Sequence, residues 1–194
     1  MLYKAVVIGV SAGGINALKE IFTILSEKFK LPVIVVQHLH PHSDSFLPNY
    51  LDSISKVKVK EAEDKEQICE GIIYTAPANY HLLIEEDYTL SLNTDEKVNY
   101  SRPSIDVLFN SAADVYQSEL IGIILTGAND DGVLGMKKIK KYGGLTIVQD
   151  PKSAEAEFMP SAVIKNIQID HILTLEKIGH LLEELNNKKL QLKN

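Results

Sequence analysis

The 194-residue sequence has one cysteine, Cys69, and no tryptophan. A single thiol excludes an internal disulfide framework and a cysteine-rich zinc site. It fits a reducing cytoplasm, and Cys69 is expected as an ordinary buried packing residue. Basic residues are in deficit: 20 Lys+Arg against 26 Asp+Glu leave a net charge of −6. Nucleic-acid binders carry the opposite balance, a basic face that neutralises phosphates. No apolar run approaches the roughly 18–20 residues needed to span a bilayer. The N-terminus lacks the basic start, long apolar stretch and cleavage pattern of a secretory signal. Internal repeats, low-complexity tracts and long linkers are missing as well. What is present is ordinary globular composition, 45% hydrophobic and 24% charged, which disfavours global disorder. At this length one domain is expected, able to bury about 70% of its unfolded surface. We assign it to residues 1–185, with 186–194 a polar tail expected to fray.

Nine of the 11 glycines fall in two zones, Gly9 to Gly14 and Gly122 to Gly144, where special turns are expected. Residues 4–10 form a nearly continuous Val/Ile-rich run, the pattern of a buried parallel strand. A Ser-Ala-Gly-Gly turn follows, then Ile15, Leu18, Ile21, Phe22 and Leu25 at helical spacing, then a second buried strand over 31–37. Together these make a βαβ unit. Further on, 46–54 predicts a short helix and 57–61, alternating with lysines, an edge strand. Residues 71–75 predict another strand, and 81–84 with 88–92 a hairpin. A helix over 104–116, with Ser104 as a plausible cap, leads into a central strand over 120–125. A helix over 131–142 ends at Gly143-Gly144. A strand over 146–149, a short helix over 161–166, a last strand over 171–173 and a terminal helix over 175–185 complete the chain. The alternation implies an α/β fold, a doubly wound and mainly parallel sheet with helices on both faces plus the hairpin.

In such folds sites form at the carboxyl ends of strands. Ser11 follows the first strand, His38 the second, and the run Thr126-Gly127-Ala128-Asn129-Asp130-Asp131-Gly132 follows the central strand. A hydroxyl, an imidazole and a carboxylate at neighbouring strand ends are the components of nucleophilic acyl transfer, because serine needs a base and the base needs a partner that fixes its tautomer. Position alone does not choose between Asp130 and Asp131. Each residue also has a bland role: Ser11 and Asp131 as helix caps, His38 as a satisfied loop histidine.

Other patterns compete. Gly9-Val10-Ser11-Ala12-Gly13 matches the G-x-S-x-G nucleophile elbow, but only one strand fits before it, and the acid candidate comes last in the chain, unlike an α/β-hydrolase. The same turn is a degenerate dinucleotide fingerprint. Ser11 replaces its middle glycine, and the second strand ends in Gln37-His38 rather than an acid, so NAD is disfavoured; a bare phosphate at the helix N-terminus stays open. His38, His40 and His42 followed by Asp44 suggest metal ligands, but the spacing is not standard and Pro41 distorts it. No metal or cofactor is expected. A Rossmann-like binding or scaffold module without activity is the non-enzyme alternative.

The sequence resembles the catalytic domain of the chemotaxis protein-glutamate methylesterases, the CheB family. The resemblance runs from about Lys4 to about Leu185. It is carried by Ile8-Gly9-Val10-Ser11-Ala12-Gly13-Gly14, Val36-Gln37-His38, Thr75-Ala76-Pro77 with His81-Leu82-Leu83, and Arg102-Pro103-Ser104-Ile105-Asp106-Val107-Leu108-Phe109 with Ser111-Ala112-Ala113. Leu125-Thr126-Gly127, Asp131-Gly132, Gly135-Met136, Val148-Gln149-Asp150-Pro151 and Met159-Pro160 complete it. The resemblance implies a serine hydrolase with Ser11 as nucleophile, His38 as base and Asp131, the Asp before Gly132, as the orienting acid. It implies hydrolysis of γ-glutamyl methyl esters on the cytoplasmic helical bundle of chemoreceptors, releasing methanol in chemotactic adaptation, with receptor glutamine deamidation in some members. Backbone N–H groups near Ala128 and at Ala12, Gly13 and Gly14 are expected to receive the oxyanion, and Arg102 to position substrate or form a structural ion pair. Ala128 and Asn129 stand where the family has Met and Gly, His40 where a Pro is usual, and Ser101 where many members have His. Family members typically carry a receiver domain before the nucleophile; only residues 1–10 precede Ser11 here, so the expectation is that regulation is absent or supplied by a separate partner.

Overall fold

The computed structural model describes residues 3–38 and 46–191. In chain order its elements are β1 (Ala5–Val10), α1 (Gly14–Ile24), β2 (Val33–Gln37), α2 (Phe46–Ile54), β3 (Lys58–Glu61), β4 (Ile72–Thr75), β5 (His81–Ile84), β6 (Leu90–Asn93) and α3 (Ile105–Tyr116). Then follow β7 (Leu120–Ile124), α4 (Val133–Lys141), β8 (Leu145–Gln149), α5 (Phe158–Asn166), β9 (His171–Leu173) and α6 (Leu175–Gln191). A seven-stranded parallel sheet has the order β3-β4-β2-β1-β7-β8-β9, and β5 and β6 pair separately as the antiparallel hairpin. The lysine-alternating strand is indeed at the edge, where charge blocks further pairing.

Residues of β1 alternate between two cores. Val6, Ile8 and Val10 join one with Leu18, Ile21 and Phe22 of α1, Leu51 of α2 and Ile178 of α6. Ala5 and Val7 join the other with Leu108 and Phe109 of α3, Met136 and Ile139 of α4, Val163 of α5 and Leu82 of the hairpin. The period of 2 in a strand sends neighbours to opposite faces, so a continuous apolar run serves both helical layers. Winding reverses at β1: β2, β4 and β3 lie on one side of it and β7, β8 and β9 on the other. That switch point opens the crevice in which α/β folds place their ligands.

Several expectations are corrected. The terminal helix does not fray after 185 but runs to Gln191. Asn186, fully buried, accepts from Lys30 N and donates to Lys28 O, and Lys189 pairs with Glu70 at 2.9 Å. These polar anchors extend the helix where apolar periodicity stops. α5 starts at Phe158 rather than 161, because Pro160 lies in its first turn, where a missing N–H costs nothing. Ile15 is 38% exposed, on the open side of α1. Cys69 is exposed rather than buried; its backbone N–H donates to Tyr74 Oη at 3.0 Å. Among the described residues no helix is long and apolar enough to cross a membrane.

Candidate active site

Strand register brings the sequence-predicted residues together. Val10 pairs with Gln37 and Gly9 with Ile124, so Ser11, His38 and the β7–α4 loop emerge side by side. The turn after β1 is held on both flanks. Ser11 N donates to Thr126 O at 3.0 Å, and the Thr126 hydroxyl donates to Ala12 O at 2.9 Å. Gln37 Nε2 donates to Ser11 O at 2.9 Å and His38 O at 3.0 Å, linking both backbones through one amide. Gly13 has φ 77° and a Cβ there would lie 2.8 Å from Glu155 Cβ, so this turn needs glycine for conformation and for space. Gly14 packs directly against Gln37, whose Oε1 would sit 1.9 Å from an added Cβ, so a side chain here would push the start of α1 off β2.

Asp131 is fully buried. Its Oδ2 accepts from His38 Nε2 at 2.8 Å and Ile105 N at 2.7 Å. Its Oδ1 accepts from Ser104 Oγ at 2.9 Å, Asp106 N at 3.1 Å and Asn99 Nδ2 at 3.1 Å. Asp131 therefore sits at the N-terminus of α3, where free N–H groups and the helix dipole favour an anion. It does not cap α4, whose N-cap is Gly132. Ser104 is the N-cap of α3 by position, yet its hydroxyl makes no capping bond and serves Asp131 instead. Burial acts to raise the Asp131 carboxyl, but the bonds from His38, Ile105 and Asn99 prevail and hold it below the ordinary aspartate value. It is ionised at neutral pH and accepts only. Neutral His38 accordingly carries its proton on Nε2, leaving Nδ1 unprotonated as the basic site, with Asn129 Nδ2 3.4 Å away.

A second buried carboxylate, Asp106, accepts from Gly135 N at 2.7 Å and shares Asn99 Nδ2 at 3.1 Å. Burial first, then the Asp131 charge, push it up to about 6 against the opposing hydrogen bonds. Sequence reasoning missed this role, because an acid in a first helical turn ordinarily reads as a surface partner of the dipole. It also missed Asn99, Asn129 and His81. His81 is buried, accepts Ser104 N at Nδ1 (3.2 Å) and donates from Nε2 to Glu96 O (3.0 Å), thereby steadying the segment that delivers Ser104. Arg102 makes no ion pair with any described residue. It donates to Asn79 Oδ1 and to the carbonyls of Thr94 and Asp95, fastening the hairpin region to the α3 approach.

Ser11, Gly13, Gly14, Gln37, His38 and Glu155 line a cleft of about 350 Å³. The Ser11 hydroxyl makes no hydrogen bond among the described residues. Of the expected oxyanion donors, Gly14 N is already used by Ser11 O at 2.9 Å, whereas the N–H groups of Ala12, Gly13 and Ala128 donate to no described residue. Ala128 is exposed. A larger groove of about 540 Å³ lies beside Asn99 and Asp106 and is walled by Leu134, Phe158, Lys137 and Lys165; it touches neither Ser11 nor His38. His40, His42 and Asp44 lie outside the described residues.

A family model described as CheB methylesterase matches residues 6–182. A Leptospira interrogans protein, provisionally named protein-glutamate methylesterase/protein-glutamine glutaminase, is 52% identical over 191 residues, covering 98% of this chain and 99% of that one. The Thermotoga maritima protein-glutamate methylesterase/protein-glutamine glutaminase is 39% identical over 185 residues, which is 94% of this chain and 54% of that protein. The chain thus spans about half the length of that relative. The crystal structure of the Thermotoga maritima CheB methylesterase catalytic domain superposes with a TM-score of 0.91 at 38% identity, covering 95% of this chain and 100% of that one.

Proposed function

This chain belongs to the CheB methylesterase family, and from that premise we propose that it is a protein-glutamate methylesterase of the serine type. The carrying observation is the 2.8 Å bond between His38 Nε2 and buried Asp131, with His38 lining the same cleft as Ser11. In this reading His38 Nδ1 takes the proton of Ser11 Oγ, and the oxygen attacks the ester carbonyl carbon. The carbonyl oxygen becomes an oxyanion beside the N–H groups of Ala12, Gly13 and Ala128, which donate to no described residue, each such donor being worth about 3 kcal/mol. Collapse of the intermediate breaks the C–O bond to the methoxy group, which leaves as methanol with the proton from Nδ1. Water, deprotonated by the same nitrogen, then releases the glutamate and restores Ser11. Asp131 keeps the imidazole in the tautomer that exposes Nδ1. No step needs a metal or cofactor.

The same sequence of steps hydrolyses a glutamine side chain, with ammonia in place of methanol. The double name of the relatives supports this second activity. The substrate is the methylated glutamate of a chemoreceptor's cytoplasmic helical bundle, and the place of action is the cytoplasm. Arg102 acts at a distance, by holding the hairpin region in place rather than by touching substrate. The test is methanol release from methylated receptor. Ser11→Ala should lower it by at least about 10³-fold and abolish labelling by a fluorophosphonate. Full activity in that variant would refute the serine mechanism, and an unlabelled, inactive wild type would favour a scaffold module.

A further inference from the structure

Asn129 stands in the β7–α4 loop, two positions before Asp131, and closes a ring of contacts around the base. Its Oδ1 accepts Asp131 N at 3.3 Å, and its Nδ2 lies 3.4 Å from His38 Nδ1. On the other side of the ring, His38 Nε2 donates to Asp131 Oδ2 at 2.8 Å. The orientation of the Asn129 amide follows from its own partners: a backbone N–H requires the oxygen, which turns the NH₂ towards the imidazole. Because the ionised Asp131 carboxylate holds the Nε2 proton, Nδ1 offers one lone pair, and the amide of Asn129 donates into it. That lone pair is also where the Ser11 proton has to go, while the Ser11 hydroxyl makes no hydrogen bond among the described residues.

We infer that Asn129 is a positioning residue that restrains the base, holding His38 Nδ1 away from Ser11 until the nucleophile displaces it. The inference rests on the serine-hydrolase reading above. Two donors compete for one acceptor, so every turnover first exchanges the Asn129 N–H for the Ser11 O–H. Proton transfer then breaks the Ser11 O–H bond and forms Nδ1–H, and the amide, itself a donor, cannot return to that nitrogen until the proton has left it. At 3.4 Å the contact is long for an N–H donor. It is weak enough for substrate binding to release, and it sets rate rather than permits reaction.

The experiment compares wild type with Asn129→Gly, Asn129→Ala and Asn129→Leu, the last keeping the volume without the donor. Labelling of Ser11 by a fluorophosphonate and kcat for methanol release from methylated receptor should both rise about two- to tenfold, as expected for loss of one weak competing hydrogen bond. KM should stay within about twofold, since the competition is for the base rather than for substrate. A residue that merely braced the Asp131 backbone would move the rates in the opposite direction. In ¹⁵N-histidine-labelled protein that also carries Ser11→Ala, so that no hydroxyl can replace the amide, the His38 Nδ1 resonance at mildly alkaline pH should move towards that of a bare ring nitrogen when any of the Asn129 substitutions is added. Unchanged or slower labelling in variants with wild-type thermal unfolding, or an unmoved Nδ1 resonance, overturns the inference while leaving the hydrolase reading intact. Absence of labelling and of methanol release in wild type as well overturns both.

Discussion

The two ends of the site are built on opposite principles. At the acid end, Asp131 is sealed from solvent and every nearby donor is committed: His38 Nε2, Ile105 N, Asp106 N, Ser104 Oγ and Asn99 Nδ2. At the nucleophile end, Ser11 lines an open cleft, and among the described residues its hydroxyl and the N–H groups of Ala12, Gly13 and Ala128 have no partner. A permanent charge has to be matched within the fold, because burying an unpaired ion costs several kcal/mol. A transient charge has to be met by donors held in place but left free until the reaction creates it. The protein therefore spends its hydrogen bonds on the acid and withholds them from the oxyanion.

The sharpest way to break this comparison is to change one residue at each end. Asp131→Asn should lower methanol release by about 10⁴-fold, since an amide NH₂ cannot accept the Nε2 proton and the wrong tautomer results. It should also destabilise the fold by about 3 kcal/mol, measured by urea unfolding, through the buried donors left unmatched. Ser11→Ala should be as damaging to activity and yet change stability by no more than about 0.5 kcal/mol, because its hydroxyl bonds to no described residue. Equal stability losses in the two variants would contradict the division drawn here.

A finer cut is Ser104→Ala, which removes one donor to Asp131 and leaves the rest. Stability should fall by about 1–2 kcal/mol, with kcat reduced about tenfold and KM little changed. The last test reads slopes rather than absolute stabilities, in the pH dependence of the two acids. Asp106 binds its proton more tightly folded than unfolded, so its contribution is full below the ordinary aspartate value of 3.8 and is lost as pH rises through about 6. Asp131, held low, contributes above the ordinary value and loses that contribution as pH falls through its own lower one. Urea unfolding of Asp106→Asn should accordingly show a flatter decline in stability between pH 4 and 7 than wild type, and an unchanged slope would reject the assignment of that decline to Asp106.

Much of the fold was legible because its signals are local. Glycine placement, the apolar runs and the 3.6-residue spacing in α1 and α3 require only a few neighbouring residues, and the edge strand announced itself by alternating lysines. Where a polar side chain decided the outcome, legibility failed. Asn186 and Lys189 extend α6 through partners more than 100 positions away in the chain, and Arg102 donates to an amide oxygen and two backbone carbonyls, with no ion pair among the described residues. Ser104 read as a cap and Asp131 as the start of α4, each sensible from its immediate neighbours. The structure joins them to one another instead, at the head of α3.

By itself the sequence, with its single thiol, acidic balance and buried apolar runs, determined a doubly wound α/β domain and set Ser11, His38 and an aspartate at strand ends. That much follows from backbone periodicity, which is a property of short segments. The family resemblance already pointed to Asp131; only the tertiary structure decided which imidazole nitrogen faces it, which is left unprotonated, and that Asn129 covers that second nitrogen. His38 and Asp131 are 93 positions apart in the chain. Their meeting depends on strand order and on the packing of α3 over β1, and a hydrogen bond is made or lost within a few tenths of an ångström that no local pattern encodes.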